Sequence, residues 1–91
     1  MKRVLFVDDE RMVLAGLQRM LHRHDKTWET AFANSGSEAL AMLAAGGYDV
    51  IVTDMRMPVM DGGELLELLR QRYPGIIRIV LSGQCDAVVV P

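Results

Sequence analysis

Cysteine is nearly absent from this chain: Cys85 stands alone among 91 residues. A single thiol excludes an intrachain disulfide framework and fits a reducing compartment, so a cytoplasmic protein is expected. Long apolar runs are missing too. None approaches the roughly 20 residues that span a bilayer, and behind Met1-Lys2-Arg3 the run Val4 to Val7 is too short for a signal-peptide core. The expectation is a chain that neither spans a membrane nor is exported. An excess of positive charge is also lacking. Ten basic residues against twelve acidic leave a net charge of -2, without the basic face that grips a phosphate backbone, so direct nucleic-acid binding by this segment is disfavoured. Low-complexity segments are absent, and 91 residues hold one domain and no more. What is abundant is core material: 51% apolar against 24% charged residues predicts a folded chain rather than a disordered one.

The first apolar run, Val4-Leu5-Phe6-Val7, is unbroken rather than alternating, the pattern of a strand covered on both faces. It ends at Asp8-Asp9-Glu10. Val13, Leu14, Leu17 and Leu21 then recur at helical spacing, which predicts an amphipathic helix over roughly residues 10 to 23. Trp28 to Ala33 is strand-forming, and Ser35-Gly36-Ser37-Glu38 is a capping box opening a second helix that stops at Gly46-Gly47. The pattern repeats with Val50-Ile51-Val52-Thr53 as a buried strand and a loop from Asp54 to Met60. A third helix follows, with Asp61 as its cap and Glu64 three residues on, and Pro74-Gly75 end it. Ile76 to Leu81 reads as a fourth strand entering Ser82-Gly83. Strands separated by helices imply parallel pairing, hence an α/β fold with an open sheet covered by helices on both faces.

In such a sheet, ligands gather beyond the carboxyl ends of the strands. The polar residues obey that rule. The first strand ends at Asp8-Asp9, the third at Asp54 and the fourth at Ser82, so three carboxylates and a hydroxyl from distant segments converge on one rim. Carboxylates that close either raise a pKa or recruit a cation. Oxygen-only ligands suit Mg²⁺, a hard ion that takes one or two carboxylates and keeps waters for a phosphate to replace.

Three segments together carry a family resemblance: Val4-Leu5-Phe6-Val7-Asp8-Asp9-Glu10, then Asp54-Met55-Arg56-Met57-Pro58-Val59-Met60-Asp61-Gly62, then Leu81-Ser82-Gly83. In that order the chain resembles the receiver domain of two-component response regulators. The resemblance implies a doubly wound, flavodoxin-like sheet of strand order 2-1-3-4-5. It implies that Asp54 accepts a phosphoryl group from a partner histidine kinase, a phosphotransfer protein or a small acyl phosphate. By the same comparison Asp9 and Asp54 coordinate Mg²⁺ with the backbone carbonyl of Arg56, Asp8 acts through a metal-bound water, and Ser82 hydrogen-bonds a phosphoryl oxygen. Modification would then be sensed as a shift of the loop after the fourth strand and passed to an output domain of a longer chain. Such a protein is a switch rather than an enzyme, catalysing at most its own phosphorylation and dephosphorylation.

The chain departs from the family pattern after residue 83. A receiver runs on to a fourth helix, a fifth strand ending in lysine, and a fifth helix. Here the only lysines are Lys2 and Lys26, and Gly83 to Ala87 is too short for the dozen residues of a parallel crossover. Residues 1–91 are thus expected to be an incomplete receiver, a fragment of a longer regulator or a shortened form. Strand four would become an exposed apolar edge, and the chain would self-associate through it and the tail Val88 to Val90.

Plainer readings stand beside these. Asp8 and Asp9 can cap the first helix, Asp54 can be a turn residue, Asp61 an N-cap and Ser82 a loop serine. His22 and His24 cannot share a helix face and are assigned no metal, the methionines pack, and Cys85 is assigned no catalysis. Two rivals to a working switch remain: a degenerate receiver that only binds protein partners, and an aspartyl-nucleophile phosphohydrolase. The latter type places D-x-D after its first strand, whereas the acids here are adjacent.

Overall fold

The pleat of an extended strand sends alternate side chains to opposite faces, and each central strand here is apolar on both. The structure, a computed structural model, describes residues 2–24, 28–54, 62–81 and 87–90. Its elements are β1 (Lys2–Val7), α1 (Arg11–His24), β2 (Trp28–Ala33), α2 (Gly36–Ala44), β3 (Val50–Asp54), α3 (Gly62–Arg72), β4 (Ile77–Leu81) and β5 (Ala87–Val90). The sheet order is β2-β1-β3-β4-β5. β2, β1, β3 and β4 are parallel, as the alternation of strands and helices predicts.

One face of the sheet is closed. Leu5 and Val7 of β1, Ala33 of β2, Ile51 of β3 and Val80 of β4 pack with Ala39 and Leu43 of α2 and Leu65, Leu66 and Leu69 of α3 into a single buried cluster. Burying a leucine or isoleucine fully contributes about 1.5–3 kcal/mol, so this cluster is the main source of stability. The opposite face is more open. There Phe6 and Phe32 stack with centroids 5.5 Å apart. Val4, Phe6, Val50, Val52, Ile77 and Ile79 line an apolar cavity of about 400 Å³ that Leu21 of α1 and Trp28 also border.

The capping box forms as the sequence predicts. The Glu38 amide donates to Ser35 Oγ at 3.1 Å, and the returning bond reaches one residue further back, from the Asn34 amide to Glu38 Oε1 at 3.1 Å. The helix ends on Gly46 and Gly47, with φ of +85° and +93°. A side chain at Gly47 would run into the Arg3 guanidinium, which sits 4.4 Å from the Tyr48 ring centroid and pairs with Glu29 at 3.2 Å. The Arg3 amide donates to Asp49 Oδ2 at 2.9 Å, and the Asp49 amide returns a bond to the Arg3 carbonyl at 2.9 Å. These contacts pin the starts of β1 and β3, and so set the level at which both strands finish.

The tail departs from expectation. Rather than leaving strand four as an exposed edge, the chain returns as β5, antiparallel to β4, with Leu81 opposite Ala87 and Arg78 opposite Val90. The requirement for a long crossover applies only to parallel strands. An antiparallel return needs a few residues, and 82–86 supply them. The proposed self-association through the edge of strand four therefore loses its premise.

One polar group sits oddly in the core. Arg78 is only 8% exposed, and its Nη1 has no hydrogen-bond partner among the described residues. A sealed donor without an acceptor costs about 1–3 kcal/mol. Arg78→Met is expected to raise stability to urea by about that amount, because it keeps the buried stem and removes the orphaned donor. A lower unfolding midpoint would show that the guanidinium is satisfied in solution.

Candidate metal centre

β1 and β3 run side by side with Val7 opposite Thr53, so the next residue of each strand, Asp8 and Asp54, emerges at the same level. Asp8 continues the ladder toward β2, its amide donating to the Ala33 carbonyl at 3.1 Å. Its side chain then turns the chain: Asp8 Oδ1 accepts from the Glu10 amide at 3.0 Å, a local bond that short acidic side chains favour at turns. Glu10 opens α1 by accepting from the amides of Val13 and Leu14 at 3.1 and 3.2 Å. Asp8 thus turns the chain ahead of α1 rather than capping the helix itself, since its side chain binds the Glu10 amide and not an amide within the first turn.

One carboxylate oxygen from each of Asp8, Asp9 and Asp54 lies within 4.8 Å of the others. The structure therefore brings together all three acids that the sequence singles out. Their exposure is graded: Asp8 is buried at 9%, Asp54 is half-buried and Asp9 faces solvent. Burial pushes the Asp8 carboxyl above its ordinary value. The Glu10 amide opposes that rise, and the neighbouring charges of Asp54, Asp9 and Glu10 add to it. The donor set fits Mg²⁺. All ligands are hard oxygens, and octahedral ligands at opposite positions lie about 4.1 Å apart, so small side-chain rotations or one intervening water close the difference.

Ser82 and Arg56 lie outside the described residues, as do Asp61, Gly83 and Cys85. β4 ends at Leu81, directly opposite Asp54, and so carries the chain to the same rim before Ser82. Lys2, at the other end of β1, is separated from the carboxylates by about 20 Å of extended strand. Thr53 was not foreseen. It is fully buried, and its hydroxyl donates to the Asp54 carbonyl at 3.0 Å, fixing the backbone on which the half-buried acid is mounted. Its position just inside an acidic strand end was the available signal, masked by an apolar context in which threonine reads as one more strand former.

The raised pKa of Asp8 has a definite sign in stability. The folded state holds this proton more firmly than the unfolded state. The contribution is fully present below the ordinary carboxylate value of 3.8 and is lost as pH rises through the raised one. Asp8→Asn keeps an oxygen for the Glu10 amide. In metal-free buffer it is expected to match the parent at acid pH and to exceed it at neutral pH, where burial first and the neighbouring charges second penalise the parent's ionised carboxyl. Thermal melts of both proteins across that range check this, and a difference independent of pH would contradict it.

The comparisons with known proteins agree with this geometry. The family model of the response regulator receiver domain matches residues 4–90. A response regulator receiver protein of Anaeromyxobacter sp. (strain Fw109-5) is 42% identical over 82 residues, covering 90% of this chain and 34% of that protein. The hydrogenase transcriptional regulatory protein HoxA of Cupriavidus necator is 40% identical over 84 residues, covering 92% of this chain and 17% of that one. The chain thus spans about a third or less of these relatives' lengths. Among solved structures, the signal receiver domain of an HD domain-containing protein from Pseudomonas fluorescens Pf-5 superposes with a TM-score of 0.84 at 33% identity, over 93% of this chain and 66% of that one. The response regulator TrrA of Thermotoga maritima, in complex with Mg²⁺-BeF, gives 0.80 at 33% identity, over 90% and 70%. With its strand order, its acidic rim and this match over nearly its whole length, the chain belongs to the response regulator receiver domain family.

Proposed function

We propose that the chain is a phosphorylation-controlled receiver in which Asp54 is the phosphoacceptor and Mg²⁺ the cofactor. The observation that carries this reading is the meeting of Asp8, Asp9 and Asp54 from the tips of two separate strands. An Asp54 carboxylate oxygen attacks the phosphorus of a phosphohistidine on a sensor kinase or phosphotransfer protein. The new O–P bond forms as the N–P bond breaks, and the imidazole leaves with the electron pair and takes up a proton. A small acyl phosphate serves the same step, with a carboxylate as leaving group. Mg²⁺, which Asp9 and Asp54 would hold with the Arg56 carbonyl and with Asp8 acting through a water, would offset the charge that spreads over the phosphoryl oxygens. Ser82 would donate a hydrogen bond to a phosphoryl oxygen.

The same reading makes the chain a switch for an output domain elsewhere in a longer polypeptide, working in the cytoplasm and turning over no substrate of its own. The naming of HoxA as a transcriptional regulator supports an output of that kind. Among the described residues, no helix is long and apolar enough to cross a membrane.

The lysine supply favours a second reading. Among the described residues the one lysine, Lys2, lies at the far end of β1 from the acids, and a domain that binds partners without being modified is the alternative.

Incubation with a small phosphodonor and Mg²⁺, read by intact mass, separates the two. One added phosphoryl group is expected, dependent on Mg²⁺ and absent in Asp54→Asn. Labelling that survives Asp54→Asn would defeat the assignment, and Mg²⁺ binding without labelling, both in this chain and in a longer one, would favour the interaction-only reading.

A further inference from the structure

Thr53 carries a hydroxyl where packing asks for none. It is fully buried, and the register sets it opposite Val7 of β1 and Val80 of β4, both members of the apolar cluster. Valine has the same branched shape and would fill that place without a polar atom. Water does not reach the hydroxyl, so its burial is costly unless a group within the protein accepts a hydrogen bond from it. The acceptor is the carbonyl of the very next residue, Asp54, at 3.0 Å.

Asp54 is the last residue of β3, and one of its carboxylate oxygens lies within 4.8 Å of an oxygen of Asp8 and one of Asp9. Like charges at that range push the strand tips apart. Two bonds of Asp8 hold the β1 tip against this push: its amide donates to the Ala33 carbonyl, and its carboxylate accepts from the Glu10 amide. On the β3 tip, the Thr53 hydroxyl supplies a hold from the buried side.

We propose that Thr53 is a positioning residue for the metal centre: by holding the Asp54 carbonyl it fixes where the Asp54 carboxylate stands against Asp8 and Asp9, and so sets the affinity of the rim for a hard divalent cation. The inference rests on reading that rim as a cation site, and it extends the site one layer into the core. The hydroxyl acts through the backbone of Asp54 and touches no ligand itself. Two substitutions separate its bond from its packing. Thr53→Val keeps the shape and loses the bond, whereas Thr53→Ser keeps the bond and loses a buried methyl.

Calorimetric titration with Mn²⁺ tests this on the parent, both variants and Asp54→Asn, at a temperature where circular dichroism shows each protein folded. Urea unfolding midpoints are measured alongside in metal-free buffer. Thr53→Val is expected to bind Mn²⁺ about fivefold more weakly or worse, the size of one lost hydrogen bond. Thr53→Ser should bind within about twofold of the parent despite a lower midpoint. Parent-like affinity in Thr53→Val overturns the proposal. So does an affinity that falls with the midpoint in both variants, which makes Thr53 a packing residue. If Thr53→Val does not fold, the serine variant decides alone: parent-like affinity at a lowered midpoint supports the proposal, and weakened affinity overturns it. A parent that binds no Mn²⁺, or whose binding survives Asp54→Asn undiminished, overturns the reading of the rim and this proposal with it.

Discussion

Carboxylates repel one another, and the parallel pairing of β1 with β3 makes two chain segments present them side by side nonetheless. With Val7 opposite Thr53, the next residue on each strand has no choice of level. Each pair of like charges at such spacing costs about 1 kcal/mol in a water-like medium and several times more where water is excluded. Leu5, Ile51, Leu65 and Leu69, all fully buried in the core cluster, offset that cost. The acidic rim is held by the packing below it.

The rest of the architecture follows from keeping that pairing in place. Arg3 and Asp49 lock the strand starts together. The Asp8 side chain turns β1 into α1, and the Thr53 hydroxyl steadies the backbone of Asp54. The buried cluster lies on the α2 and α3 face, while the α1 face retains an open apolar cavity. The polar site is thus built on the strand ends, and the open apolar cavity lies elsewhere.

Much of this was legible in the sequence because the signals are local. Apolar runs marked β1 and β3, strand-forming residues marked β2, the stretch Ile76 to Leu81 marked β4, Ser35 and Glu38 marked the start of α2, and Gly46-Gly47 marked its end. The acidic cluster was legible for a different reason: parallel strands place their carboxyl ends on one rim, so Asp8, Asp9 and Asp54 could be assigned to a common site without knowing any distance. What escaped notice depended on burial and hydrogen bonding that residue type alone does not reveal. Thr53 matters through the residue it supports, and Arg78 reads as a surface charge in an apolar strand, yet it lies buried beneath the neighbouring elements. The fate of Val88 to Val90 was misjudged because the rule for parallel crossovers was applied to a segment that returns antiparallel.

The central claim is that the tips of β1 and β3 form one site for a hard divalent cation. Titration with Mn²⁺, a paramagnetic stand-in for Mg²⁺, followed by amide NMR, tests it most directly. The account predicts that the signals of residues 8–10 and of residues 53 and 54 broaden together at the same low metal concentration, and that Mg²⁺ in excess restores both. Broadening at only one of the two strand tips, or at neither, would contradict it.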